Sequence, residues 1–195
     1  MSRGFSLVEL LVGMTFLAVF TLAVHHECAA LLRGSRVLEV ASEAQEAARL
    51  GVQLIVADAR EAGFSPLGPL TDGVRQAGPR IFAMARDLNG DGDVEDSNER
   101  VAYLYAPERR ALLRAQGDAP PQPLLDSLDD DGLAFTFLDG GGAPLPAEPA
   151  LDAADRARIR RVAVRLAVAI RNPIPGALPL RGEQTATATL RNVAP

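Results

Sequence analysis

The feature that most constrains this chain is an uninterrupted apolar run near its start, Phe5–Val24 (FSLVELLVGMTFLAVFTLAV). The run is about 20 residues long, enough for an α-helix to cross the hydrocarbon core of a bilayer. It contains one charged residue, Glu9. A lone carboxylate in such a segment costs roughly 3 kcal/mol or more, so it needs a partner or a purpose. A conventional secretory signal would have an apolar core of about 7–15 residues with a small-residue cleavage site behind it. This run is longer, carries Glu9, and leads into His25-His26-Glu27.

No proline occurs from Phe5 to Ala62, and apolar residues recur there at helical spacing. Leu31, Leu38, Ala41, Ala44, Ala48, Val52, Ile55 and Ala59 follow steps of three, four or seven, with Arg36, Glu39, Glu43, Glu46 and Arg49 largely between them. The spacing predicts one long helix, its first half in lipid and its second half amphipathic. Gly63 and Pro66 supply its stop. Gly13, Gly34 and Gly51 each weaken it by about 1 kcal/mol relative to alanine and mark places where it could bend.

Beyond Pro66 the period changes to two. Strands are predicted at Arg80–Ala85, Val101–Ala106, Ala111–Gln116, around Leu133, Phe135 and Phe137, at Ile159–Arg171 and at Gln184–Val193. In Ile159–Arg171, Val162, Val164, Leu166, Val168 and Ile170 share one face. The other mixes Ala163, Ala167 and Ala169 with Arg161, Arg165 and Arg171, and its small residues point to a close neighbour such as the long helix. Leu67–Gly78, Ala119–Pro123 and Gly140–Pro149 read as loops, Asp129-Asp130-Asp131-Gly132 as an acidic hairpin turn, and Asp152–Arg158 as a short helical turn. The fold class is α+β: a long N-terminal helix, transmembrane then amphipathic, packed on an antiparallel β-sheet.

The leader Met1-Ser2-Arg3-Gly4 and the string Gly4-Phe5-Ser6-Leu7-Val8-Glu9-Leu10 resemble the processing signal of type IV prepilins and pseudopilins. The resemblance implies the pilin fold, cleavage after Gly4 by a prepilin peptidase, methylation of the new N-terminal Phe5, and pairing of Glu9 with the terminal amine of a neighbouring subunit. It divides the chain into a leader (1–4), a transmembrane segment (5–24), an amphipathic half-helix (25–62) and a periplasmic head (63–195). The stretch Asp58-Ala59-Arg60-Glu61-Ala62-Gly63-Phe64 is similar to the D-x-R-x-A-G-F helix end of PilW-type minor pilins. The implied function is a minor pilin that helps prime assembly of a type IV pilus. The alternatives are a J-class minor pseudopilin of type II secretion or a tip-located adhesin module. The implied partners are the peptidase, other minor and major pilins or pseudopilins, and an inner-membrane assembly platform. The implied location is the inner membrane, with a periplasmic head, and then the pilus or pseudopilus.

Composition narrows the rest. Net charge is −5, or −6 once Arg3 leaves with the leader, and no basic stripe stands out, so no nucleic-acid partner is expected. Every basic side chain apart from His25 and His26 is arginine. The single cysteine, Cys28, leaves an intrachain disulfide without a partner. The two histidines sit beside the apolar run, and no Cys/His cluster, phosphate-binding glycine loop or nucleophile elbow occurs, so no enzymatic activity is expected.

One motif in the head points to a ligand. Asp87-Leu88-Asn89-Gly90-Asp91-Gly92-Asp93-Val94-Glu95 places oxygen ligands at alternate positions, as at the start of an EF-hand loop. The expected metal is Ca2+, held by Asp87, Asn89, Asp91, Asp93 and Glu95. The twelfth position is Asn98 rather than Glu, and Glu99 comes one residue late.

Overall fold

A computed structural model describes residues 6–70 and 72–192. Helix α1, Leu7–Glu61, runs unbroken for 55 residues, about 80 Å at the rise of an α-helix. Ser6 caps it and Glu9 completes a capping box. The chain leaves α1 through Gly63, whose φ of 76° suits glycine.

Among the described residues, nine strands and one short helix follow: β1 Val74–Gly78, β2 Ile81–Ala85, β3 Arg100–Ala106, β4 Ala111–Gln116, β5 Gln122–Leu125, β6 Leu128–Leu138, β7 Pro144–Leu145, α2 Ala153–Arg158, β8 Arg161–Ile170 and β9 Leu180–Thr189. They form two antiparallel sheets rather than the single one expected, in the orders β1-β2-β3-β4-β5 and β7-β6-β8-β9. The sheets and the second half of α1 enclose one core. Val52, Ile55, Val56 and Ala59 of α1 meet Phe82 and Tyr103 of the first sheet and Phe135, Phe137, Val162 and Leu166 of the second. Phe82 sits 5.7 and 5.8 Å, centroid to centroid, from Phe135 and Phe137 and so joins the two sheets.

Four further sequence expectations are corrected. Val74–Gly78 is a strand rather than part of a loop, and the proline-rich stretch Ala119–Pro123 leads into strand β5. Pro123 is tolerated there because β5 is the edge of its sheet. Asp129–Gly132 is no hairpin turn but an irregularity inside β6, where the register with β8 breaks between Leu128 and Leu133.

The fourth concerns the floor under the helix. The small-residue face of β8 does not meet α1. Val168 packs against Ala44 and Ala48, and Leu166 lies under Gly51. The close approach is made by the next strand. A Cβ on Gly182 of β9 would fall 2.3 Å from the backbone carbonyl of Ala44. The small residues that let helix and sheet touch are thus Gly182, Ala186 and Ala188. Ala186 and Ala188 pair with Val164 and Val162 across the ladder. Gly51, expected as a possible bend, is instead a packing position that makes room for Leu166, whereas Gly13 and Gly34 face open space.

Every sheet edge is blunted. β1 carries a bulge between Val74 and Gln76, β5 contains Pro123, and β7 is two residues long and begins with Pro144. At β9 the Gln45 side chain of α1 takes the outward backbone groups of Glu183: its Nε2 donates to the carbonyl at 3.1 Å, and its Oε1 accepts from the N–H at 3.3 Å.

Candidate functional site

The first half of α1 is a bare apolar surface. From Leu7 to Val24 the large side chains, Phe16 and Phe20 among them, are exposed. This helix is long and apolar enough to cross a membrane. A patch of this extent on an otherwise folded chain marks a surface that lipid or protein covers.

Glu9 is the charged residue in that surface. Its Oε2 accepts the backbone N–H of Ser6 at 3.0 Å, while the Ser6 hydroxyl oxygen accepts from the N–H of Val8 at 3.3 Å. The carboxylate therefore folds back over the positive end of its own helix, where an anion is favoured. Gly4 and Phe5 lie outside the described residues. Cys28 is exposed on the helix just beyond the apolar run.

At the other end of α1 an acid locks the helix to the head. Asp58 is buried, and its Oδ2 accepts the Tyr103 hydroxyl at 2.6 Å and Arg114 Nη2 at 3.1 Å. Arg86 Nη1 lies 3.6 Å from its Oδ1 and also pairs with Glu61. Arg114 Nε donates to the Tyr103 hydroxyl oxygen at 3.2 Å. Burial pushes the Tyr103 hydroxyl above the ordinary tyrosine range, and its hydrogen bond to the Asp58 carboxylate pushes it the same way. The sequence shows Asp58 in a helix-end motif but gives no sign of its partner Tyr103, which is 45 residues away. The outer face of the second sheet carries exposed ion pairs, such as Arg181 with Asp129 and Glu183.

The acidic stretch Asp87–Glu95 forms the loop between β2 and β3. Asp87 is fully buried; its Oδ1 accepts from Gly90 N at 2.6 Å, and its Oδ2 accepts from Gly92 N at 3.3 Å and from Ser65 Oγ at 2.9 Å. Gly90 and Gly92 adopt φ of 77° and 89°, which these tight turns demand. Asn89, Asp91 and Asp93 are exposed, and the side-chain oxygen of each accepts the backbone N–H two residues on, at 2.9, 3.0 and 2.9 Å. The N–H of Asp93 is the main reason the Asp91 carboxyl is held below its ordinary range. Glu95 is exposed at the loop's rim. Among the described residues, no three His, Cys, Asp or Glu side chains already converge as a metal cage. The structure adds Glu99, which is buried at the foot of the loop.

The fold and its exposed stem define a chain of the α+β class, with one long N-terminal helix half bare and half packed on antiparallel sheets. No protein-family model and no curated protein matches it. Among solved structures, a type IV-like pilin from Thermus thermophilus superposes with a TM-score of 0.44 at 16% identity. That alignment covers 76% of this chain and 97% of the other.

Proposed function

We propose that this chain is a structural subunit of a type IV pilus, a minor pilin that helps prime assembly. The observation that carries the reading is the bare apolar stem of α1 with Glu9 as its one charge, beginning directly after the Gly4-Phe5 junction. Prepilin peptidase cleaves after Gly4, the new terminus at Phe5 is methylated, and the stem anchors the subunit in the inner membrane with its head in the periplasm. Cleavage creates the cation that Glu9 lacks. In a low-dielectric setting the pair offsets part of the cost of burying each charge and fixes the axial register between neighbouring subunits. The stem then exchanges lipid for the stems of other pilins, driven by an inner-membrane assembly platform. The role is structural rather than catalytic.

Mass spectrometry of chain purified from its native host tests this reading: it expects an N-methylated Phe5 terminus, and an intact Met1 terminus in assembled filaments rejects it. Glu9→Ala should insert in membranes as the parent does but fail to co-purify with filaments; normal incorporation rejects the pairing.

A further inference from the structure

The filament reading leaves the β2–β3 loop unused, and the loop is strongly and singly charged. Asp87, Asp91, Asp93, Glu95, Asp96 and Glu99 lie within it or at its foot. Among the described residues none of these six forms an ion pair. The two arginines that flank the stretch pair their terminal nitrogens elsewhere, Arg86 with Asp58 and Glu61 and Arg100 with Asp118, while the buried Nε of each has no hydrogen-bond partner. Like charges gathered this closely repel one another unless a cation enters.

A second observation is independent of the loop's turns. Glu99 is 1% exposed, and its Oε2 has no hydrogen-bond partner. Its other oxygen, Oε1, accepts the N–H of Leu88 at 2.8 Å, so the carboxylate lies against the first turn of the loop. Asp87, which precedes Leu88 in the chain, is 0% exposed. Both are held by the frame. The N–H of Arg86 donates to the Glu99 carbonyl at 2.9 Å, just beyond the last β2–β3 pair Ala85–Arg100, and the N–H of Asp87 donates to the Phe64 carbonyl at 2.7 Å. A buried carboxylate oxygen with no hydrogen-bond donor and no ion pair is among the costliest groups a fold can carry.

We propose that the β2–β3 loop binds a calcium ion, with buried Asp87 and Glu99 as fixed ligands at its base and exposed Asn89 and Asp91 closing over it. The donors are all oxygen, with no imidazole or thiolate among them, which selects a hard cation. The loop is irregular and its two exposed ligands must turn from their present hydrogen bonds, which suits calcium's variable coordination better than the strict octahedron of magnesium. Glu99 replaces Glu95 in the ligand set expected from the sequence, and the side chain of Asp93 is outside it. The site does not depend on the filament reading, which stands or falls on the N-terminus.

The test is thermal unfolding of the full chain in detergent micelles, in EGTA, in calcium and in magnesium. With about 10 mM calcium, well above the ~1 mM range of weak extracellular sites, the melting temperature should rise by about 3–10 °C over EGTA, and by less with magnesium. Glu99→Gln keeps the bond from Leu88 and removes one charge. It should melt in EGTA at or above the parent's temperature and lose most of the calcium response. Asp91→Asn, at an exposed position where the amide oxygen can still accept the Asp93 N–H, should shift the calcium midpoint about tenfold upward in isothermal titration calorimetry. No rise with calcium, an equal rise with magnesium, or a full calcium response in Glu99→Gln overturns the proposal.

Discussion

Asp58 ties the end of α1 to both β3 and β4, through Tyr103 and Arg114. Removing it leaves the buried Tyr103 hydroxyl and the part-buried Arg114 guanidinium without their shared acceptor. Asp58→Ala should therefore cost about 3 kcal/mol, read as a fall in melting temperature. Its partner makes a pH prediction. The folded Tyr103 hydroxyl titrates above the ordinary tyrosine value of about 10, so above that pH the unfolded chain releases this proton first. The contribution is fully present below about pH 10 and is lost as pH rises toward the folded value. The chain has no lysine, so few other side chains titrate in that window. Melting temperature should decline above about pH 10, and Tyr103→Phe should flatten that limb. The sequence displayed the acid and the helix end that holds it. It could not display the partner, because a contact across 45 residues leaves no local pattern.

At the scale of elements, the long helix and most strands were legible because each carries its own period. Missed were β1, hidden in a glycine- and proline-rich stretch, and β5, whose Pro123 argues against a strand unless it is known to be an edge. Also missed was which strand runs closest beneath the helix. The period of β8 shows two faces but not which one is covered, and Gly182 falls before the strand expected from Gln184. That glycine yields a prediction. An alanine there would place a methyl on the Ala44 backbone, which cannot swing aside as a side chain can. Gly182→Ala should destabilise the head by about 1–3 kcal/mol, measured as a lower denaturant midpoint at unchanged slope. Gly51→Ala should cost less, because the atom in its way is the end of the Leu166 side chain.

For the whole molecule, the division into a bare stem and a folded head was legible from hydropathy alone, whereas the two-sheet construction of the head was not, since it depends on which edges pair. The stem predicts how the chain associates with lipid. Its attachment rests on apolar area, so the full chain should stay with phospholipid vesicles in about 1 M salt, where the Debye length is about 3 Å. A chain released by salt would be held by surface charge instead. The acidic loop was legible as a motif, but its proposed base was not, because Glu99 is one residue out of step with the pattern it completes.

The blunted strand ends have a consequence for crowding. On the outer edge of β9 the Gln45 side chain fills the rung at Glu183. Where many such globules stand shoulder to shoulder, each offers its neighbours only short or interrupted backbone ladders to extend. Close stacking is then left to the greasy shafts alone, and a dense array of these subunits should resist sliding into amyloid even at concentrations that would precipitate a protein with one bare margin.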